Sequence, residues 1–181
     1  IMSQLKVNSI VPTGGLPSGA LGRIIQIKYT PVRAIISQST NETGSNFSAF
    51  DTLITPTSAN SRFLITAYLN VASAGGNTFG VMVRRNNSVI DELRADADGN
   101  RRRYTGRGAT SWNADGNHMH NYTVVVLDTP STTNNITYKL FFATEGSNTL
   151  YINRNRNNSN STNPIYSRGM SSMTVMEVDG Q

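Results

Sequence analysis

Apolar and polar residues alternate along several short segments of the chain, and this two-residue period predicts β-strands. The clearest case is residues 62–71, RFLITAYLNV. Successive side chains of a strand point to opposite faces, so a segment with this period has one buried face. The residues that this pattern places on the buried face are Phe63, Ile65, Ala67, Leu69 and Val71.

Other short apolar segments, separated by turn residues, predict the remaining strands. We predict them at residues 24–29, 34–36, 50–55, 79–85, 88–93, 122–127, 136–143, 149–153 and 172–178. Asn86 and Asn87 predict a two-residue type I′ hairpin turn, because Asn tolerates positive φ. Residues 37–49 and 94–120 are polar and are predicted to be loops. Nine or ten short strands at this spacing indicate an all-β protein with an antiparallel, jelly-roll-like β-sandwich.

The first 23 residues differ from the rest of the chain. They contain two Pro, four Gly and no acidic residue. Their apolar residues are too few for an independent core, yet a plain linker would gain nothing from them. We therefore expect residues 1–23 to form an extended attachment arm and residues 24–181 to form the sandwich domain. The residues expected to anchor the arm are Leu5, Val7, Ile10, Val11, Pro12, Leu16 and Pro17.

Composition adds a reason to expect an oligomer. Asn, Ser and Thr account for 60 of the 181 residues, only 15% are charged, and there are three Lys, so good helix formers are scarce. There is no Cys, which excludes disulfides and thiolate metal sites. Stability without such cross-links can come from burial between subunits, so we expect an oligomer.

Several segments resemble small virion proteins of marine and freshwater cyanobacterial phages. The similarity runs from LKVNSIVPTGGLPSGALGRIIQIKY at residues 5–29 to SSMTVMEV at residues 171–178, with ITPTSANSRFLI, VLDTP, TYKLFF and LYINR between them. Gly22-Arg23 stands where a Gly-rich pair is usual. The resemblance implies a trimeric tail-fibre-like or spike-like subunit, with a capsid decoration or cement protein as the alternative. It also implies that residues 5–23 attach to other virion proteins.

Location and enzymatic function follow from what the sequence lacks. No apolar stretch approaches the roughly 18 residues that span a bilayer, so we expect no membrane insertion. No signal-peptide pattern opens the chain, which favours synthesis in a host cytoplasm followed by incorporation into a virion. No G-x-S-x-G motif or marked carboxylate pair is present, and we expect no enzymatic activity.

His118 and His120 form the sharpest motif for metal binding. In a strand, residues i and i+2 share a face, and two imidazoles on one face can chelate a metal. On a threefold axis three such pairs would supply six ligands, and the resemblance implies an iron site of this kind in similar phage fibre tips. The alternative is a solvent-exposed loop without metal, and we expect no other cofactor.

Seven arginines lie between residues 84 and 107, interleaved with four acidic residues. Guanidinium groups bind carboxylates, phosphates and sulfates. Arg101, Arg102, Arg103, Tyr104 and Trp112 are therefore candidates for binding a host surface glycan. The alternative is a network of structural ion pairs, and for Trp112 it is packing. Because the acids compensate the arginines and few aromatics are near, we expect no nucleic-acid binding.

Overall fold

The computed structural model describes residues 23–74, 78–109 and 118–180, which form twelve strands and three 3-10 turns with no α-helix. The turns are Ser48–Phe50, Asp91–Leu93 and Pro164–Tyr166. The strands are β1 (Ile24–Val32), β2 (Ile36–Thr40), β3 (Ser45–Asn46), β4 (Thr52–Ile54), β5 (Arg62–Ser73), β6 (Thr78–Arg85), β7 (Ser88–Val89), β8 (Gly106–Ala109), β9 (His120–Asp128), β10 (Ile136–Thr144), β11 (Asn148–Ile152) and β12 (Ser171–Val178). No helix in these ranges is long and apolar enough to cross a membrane.

Two six-stranded antiparallel sheets make up the sandwich. In sheet I, β12 pairs with β1 and β5, β5 also pairs with β9 and β11, and β11 pairs with β2. In sheet II, β10 pairs with β3, β4 and β6, and β6 also pairs with β7 and β8. The predicted all-β, antiparallel class is confirmed.

The core lies between the inner faces of the two sheets. Residues 62–71 behave as their alternation predicts, because every second side chain from Phe63 to Val71 is buried. The same period runs through β12 and β10. Aromatic rings bridge the layers: the Phe63 ring of sheet I lies 5.8 Å from the Tyr138 ring of sheet II. Burial of each large apolar side chain contributes about 1.5–3 kcal/mol, so this interior holds the sheets together.

A buried charge cluster also ties the sheets together. Asp128, at the end of β9, accepts hydrogen bonds from Arg85 Nε at 3.0 Å, Arg85 Nη2 at 2.6 Å and the Tyr138 hydroxyl at 2.6 Å. Burial alone lowers the pKa of Arg85, but its bonds to Asp128 outweigh this and raise the pKa. Burial, followed by the bond to Asp128, raises the pKa of the Tyr138 hydroxyl. The cluster fixes one end of the sandwich.

Glu177 is a buried carboxylate that is held by neutral donors. It accepts hydrogen bonds from Gln26 Nε2 at 2.5 Å, Thr57 N at 2.7 Å, Thr57 Oγ1 at 2.6 Å and Ser61 Oγ at 2.6 Å. Burial would raise the pKa of Glu177, but the bonds from Ser61, Thr57 and Gln26 outweigh it, and the pKa lies below its ordinary value. The carboxylate thereby joins β1, β12 and the turn before β5.

The hairpin prediction is confirmed, whereas several strand limits are wrong. Asn86 and Asn87 have φ of 50° and 77° and connect β6 to β7, as the type I′ turn requires. The strand predicted at 88–93 ends at Val89, because a 3-10 turn follows and buries Leu93.

Two predicted loops contain strands. Residues 37–49 include most of β2 and all of β3, because an edge strand is held by backbone hydrogen bonds and needs few apolar side chains. The strand predicted at 34–36 accordingly begins only at Ile36. Residues 94–120 include β8, whose sequence GRGA pairs with β6.

Candidate functional site

The outer face of sheet I carries apolar side chains in register across four strands. Ile27 on β1 lies opposite Met176 on β12, Met176 opposite Leu64 on β5, and Leu64 opposite Leu127 on β9. Directly paired residues of antiparallel strands share a face, so these four form one apolar row. The neighbouring row consists of Tyr29, Thr174, Thr66 and Val125. We call this surface the outer apolar face.

Much of this face is open to solvent. Its six large side chains with the greatest exposure are between 41% and 60% exposed: Ile24, Ile27, Tyr29, Tyr68, Val125 and Leu127. Together they present on the order of 600 Å² of surface, the size of the largest patches on monomeric proteins. Among the side chains directed outward from β1, β5, β9 and β12, only Arg62 is charged. The face is therefore apolar and almost uncharged.

Sheet II presents a cationic surface instead. Arg84 on β6 faces outward, opposite Lys139 on β10 and Val89 on β7. Beside it, residues 94–105 form a wall of a groove of about 380 Å³, which we call the arginine groove. Its charged lining consists of Arg84, Arg94, Arg101, Arg102, Arg103 and Glu42. Five guanidinium groups thus face one carboxylate.

Arg101, Arg102 and Arg103, the three arginines proposed from the sequence to bind a ligand, each have an acidic neighbour. Arg101 pairs with Asp98, Arg102 pairs with Glu42, and Arg103 Nη1 lies 3.6 Å from Asp91 Oδ1. These are the ion pairs that the structural alternative expected. Solvent-exposed pairs of this kind contribute about 1 kcal/mol or less, so a competing anion can exchange with the carboxylates.

Arg94 likewise pairs with Asp91, whereas Arg84 has no carboxylate partner in the described ranges, and each of the two has one donor without an acceptor. In the described part of the chain, Nε of Arg84 and Nε of Arg94 are both buried and find no hydrogen-bond partner. The Arg84 guanidinium lies 3.8 Å from the centre of the Phe141 ring and has only a long bond, 3.4 Å, to the Asn87 carbonyl. Burial, and then repulsion from Arg94, lowers the pKa of Arg84. A bound anion beside both guanidinium groups would offset the repulsion between them.

Tyr104 is the aromatic residue of the groove. Its half-buried ring lines the arginine groove and also an adjoining groove of about 470 Å³, which contains Arg107 and Glu145. The ring lies against the backbone of Gly80 on β6, where a Cβ would overlap three of its carbon atoms. Gly80 thus allows Tyr104 to approach the sheet closely. The sequence analysis named Tyr104 as a candidate and counted Arg84 and Arg94 only among the seven clustered arginines, and it gave no signal for Gly80.

The two histidines lie at the start of β9. His120 is the first residue of the strand, opposite Val71, whereas His118 precedes the strand. Their ring centres are 6.5 Å apart. Within residues 23–74, 78–109 and 118–180, no group of three or more His, Cys, Asp or Glu side chains is placed to hold a metal. Metal binding across a threefold axis stays a prediction.

Some predicted site residues lie outside the described ranges. These are Trp112 and the arm residues Leu5, Val7, Ile10, Val11, Pro12, Leu16 and Pro17. The last arm residue, Arg23, is described: its carbonyl accepts a hydrogen bond from Asp179 N at 2.9 Å. The sequence analysis missed the outer apolar face, although Val125 and Leu127 alternate with the inward Val124 and Val126 and so indicate a strand that is apolar on both faces.

Comparison with known proteins gives structural matches alone. No family model and no curated protein matches the chain. Among solved structures, infectious bursal disease virus (Gx strain) matches with 12% identity and a TM-score of 0.44, over 96% of this chain and 42% of that one. A VP2 subviral particle of the same virus matches with 12% identity and a TM-score of 0.36, over 93% and 44%. This chain thus spans less than half of those chains, and neither match assigns it a function.

Proposed function

We propose that this chain is a structural subunit of a virion that associates with further copies of itself, as a trimer, through the outer apolar face. The proposal rests chiefly on the exposed rows of apolar side chains across β1, β12, β5 and β9. The segments that resemble phage virion proteins support the virion assignment. In this proposal the chain has no enzymatic role.

A second copy of the chain is the occupant that best suits the face. A stable protein interface buries about 800 Å² on each partner, and the six most exposed side chains alone present on the order of 600 Å². The chain has a formal net charge of +5, so copies repel one another wherever cationic surfaces meet. Contact through a face whose only outward charge is Arg62 avoids most of this repulsion.

Molar mass in solution tests the self-association. Light scattering over a concentration series should give three times the chain mass for the wild-type protein. Val125→Glu places a charge on the face at a 60% exposed position, and should give a folded monomer that unfolds at a lower temperature, because burial between subunits is lost. Leu53→Glu is the matched control on the outer side of sheet II, where Leu53 is 56% exposed, and should remain a trimer. A wild-type monomer at all concentrations would refute this part of the proposal.

In the proposed virion, residues 1–23 attach the subunit to the particle, as a fibre-like or spike-like component. Removal of residues 1–22 should leave the number of subunits unchanged, because the proposed trimer contact lies on the sandwich. It should abolish binding to virions that lack the subunit, as measured by co-sedimentation. Retained binding by the truncated chain would assign attachment to the sandwich and contradict this role of the arm.

A further inference from the structure

We propose that the arginine groove is a binding site for an acidic saccharide, with its sulfate or carboxylate group at Arg84 and Arg94 and a sugar ring on Tyr104. The groove lies on sheet II, away from the outer apolar face. The inference therefore goes beyond the proposed structural role.

The anion-binding part of the site follows from the state of Arg84 and Arg94. Their buried Nε donors have no acceptor within the described ranges, and an unmet buried donor is costly. Arg94 also binds Asp91, an exposed carboxylate, whereas Arg84 has no carboxylate within ion-pair distance in those ranges. Both residues line the groove, and two neighbouring guanidinium groups match the oxygen atoms of a sulfate or carboxylate.

The remaining arginines make the groove attractive to anions without filling it. Arg101, Arg102 and Arg103 add three positive charges to the lining, where Glu42 is the single carboxylate. Their partners Asp98 and Asp91 are well exposed and lie outside this lining. A net positive concave surface concentrates anions, and the effect weakens as salt is added.

Tyr104 distinguishes a saccharide from a simple anion. An aromatic face inside a polar groove can pack against the apolar face of a sugar ring, and neighbouring polar groups then fix its orientation. Tyr104 lies at the junction of the arginine groove and the adjoining groove with Arg107. Together the two grooves have room for more than one sugar unit.

Saccharide suits this surface better than nucleic acid. Single-stranded nucleic acids bind along basic grooves with several stacking aromatics and follow a continuous phosphate backbone. The linings of the two grooves contain two aromatic residues, and Phe79 is only 2% exposed, so Tyr104 alone can stack on a ligand. Glu145 also interrupts the positive charge. The site is short and local.

Titration calorimetry on the full chain tests this assignment. The probes are a sulfated heparin hexasaccharide, an oligogalacturonate of equal length, neutral maltohexaose and a single-stranded DNA hexamer. We expect one or both acidic saccharides to bind and maltohexaose not to bind. DNA that binds as tightly as the better acidic saccharide would overturn the assignment to a saccharide.

Substitutions locate the site. Arg84→Gln with Arg94→Gln should weaken acidic-saccharide binding at least about tenfold, and Tyr104→Ala about tenfold. The matched control is Arg154→Gln, because Arg154 stacks on the Tyr151 ring at 4.3 Å outside the groove, and it should bind as the wild type does. Arg84→Lys keeps the charge and loses the planar guanidinium group, and it should bind the acidic saccharide with intermediate affinity. It also provides a test of the site if the double variant fails to fold.

Three results would contradict the proposal. Wild-type affinity in a folded Arg84→Lys or double variant would show that these arginines do not hold the anion. Loss of affinity in the arginine variants with none in Tyr104→Ala would reduce the groove to a simple anion site. Equal loss in Arg154→Gln would show that general surface charge is responsible.

Discussion

The outer faces of the two sheets differ sharply although both sheets share one core. Sheet I presents Ile27, Tyr29 and Val125 to solvent with Arg62 as its only outward charge on the four strands of the face. Sheet II presents Arg84 and Lys139 and is flanked by the arginine-rich residues 94–105. Inward alternation determines the sandwich in both cases, so the outward positions are free to carry different chemistry. We infer that sheet I is adapted to contact protein and sheet II to contact anions.

The largest expected effect comes from the link between the sheets, on which both outer faces depend. Asp128→Asn leaves the Arg85 guanidinium without its carboxylate and weakens the bond to Tyr138. We expect a loss of about 2–3 kcal/mol in the free energy of unfolding, measured by denaturant titration. Asp51→Asn is the matched control, since Asp51 pairs with Lys139 at 3.3 Å nearer the surface, and should lose less than about 1 kcal/mol. Equal losses would contradict a special role for the Asp128 cluster.

Glu177 supports sheet I alone, and its substitution should separate the two faces. Glu177→Gln replaces an acceptor-only carboxylate with an amide whose NH2 group meets another N–H donor in either orientation, that of Gln26 or that of Thr57. We expect a loss of about 1–2 kcal/mol in the free energy of unfolding. Self-association should weaken while saccharide binding stays as in the wild type, because β1 and β12 carry half of the outer apolar face. Glu92→Gln, at an exposed position outside the lining of both grooves, serves as the control. A change in saccharide affinity without a change in the molar mass of the assembly would contradict this prediction.

The same carboxylate predicts an acid-sensitive stability. The pKa of Glu177 is lower in the folded chain than the ordinary value of 4.5, so ionised Glu177 stabilises the fold above that pH. This contribution is lost as the pH falls below about 4.5 and through the folded-state pKa. The unfolding temperature of the wild type should therefore fall more steeply below pH 4.5 than that of Glu177→Gln. Parallel declines in the unfolding temperatures of the two proteins would show that ionised Glu177 does not stabilise the fold.

Salt should affect the two faces in opposite directions, with modest changes in each. Sulfate salts strengthen burial of apolar surface, and added ions screen guanidinium charges. From 0.1 to 0.5 M sodium sulfate, we expect the trimer to dissociate less on dilution, while binding of the acidic saccharide weakens several-fold. Light scattering and calorimetry on one preparation measure both. A parallel response would contradict the division between an apolar and a cationic face.

Local sequence patterns predicted much of the sandwich because they depend on neighbours along the chain. The alternation from Phe63 to Val71 and the Asn86-Asn87 turn are of this kind. Register across strands is not local, and it determines that Ile27, Met176, Leu64 and Leu127 form a row. The edge strand β2 lacked a clear pattern because backbone pairing with β11 defines it.

The groove was predicted in part, for a related reason. The run Arg101–Arg103 and Tyr104 is visible in the sequence, whereas their acidic partners at Glu42 and Asp91 are identified only by folding. Arg84 lies about twenty residues earlier, and its unmet Nε donor depends on burial against β10 and the loop. Gly80 gave no signal, because its role is to leave room for a ring distant in sequence.

The most direct test of the central claim, that copies bury the outer apolar face, is the reactivity of a single thiol at its centre. The chain has no Cys, so Thr66→Cys, in the row with Tyr29 and Val125, provides a unique probe. Thr137→Cys on the outer side of sheet II is the matched control, since both threonines are half-buried within one chain. We predict that the thiol at position 66 reacts with a maleimide at least about tenfold more slowly than the thiol at position 137, and that Val125→Glu removes the difference. Equal rates in the wild-type background would contradict the account.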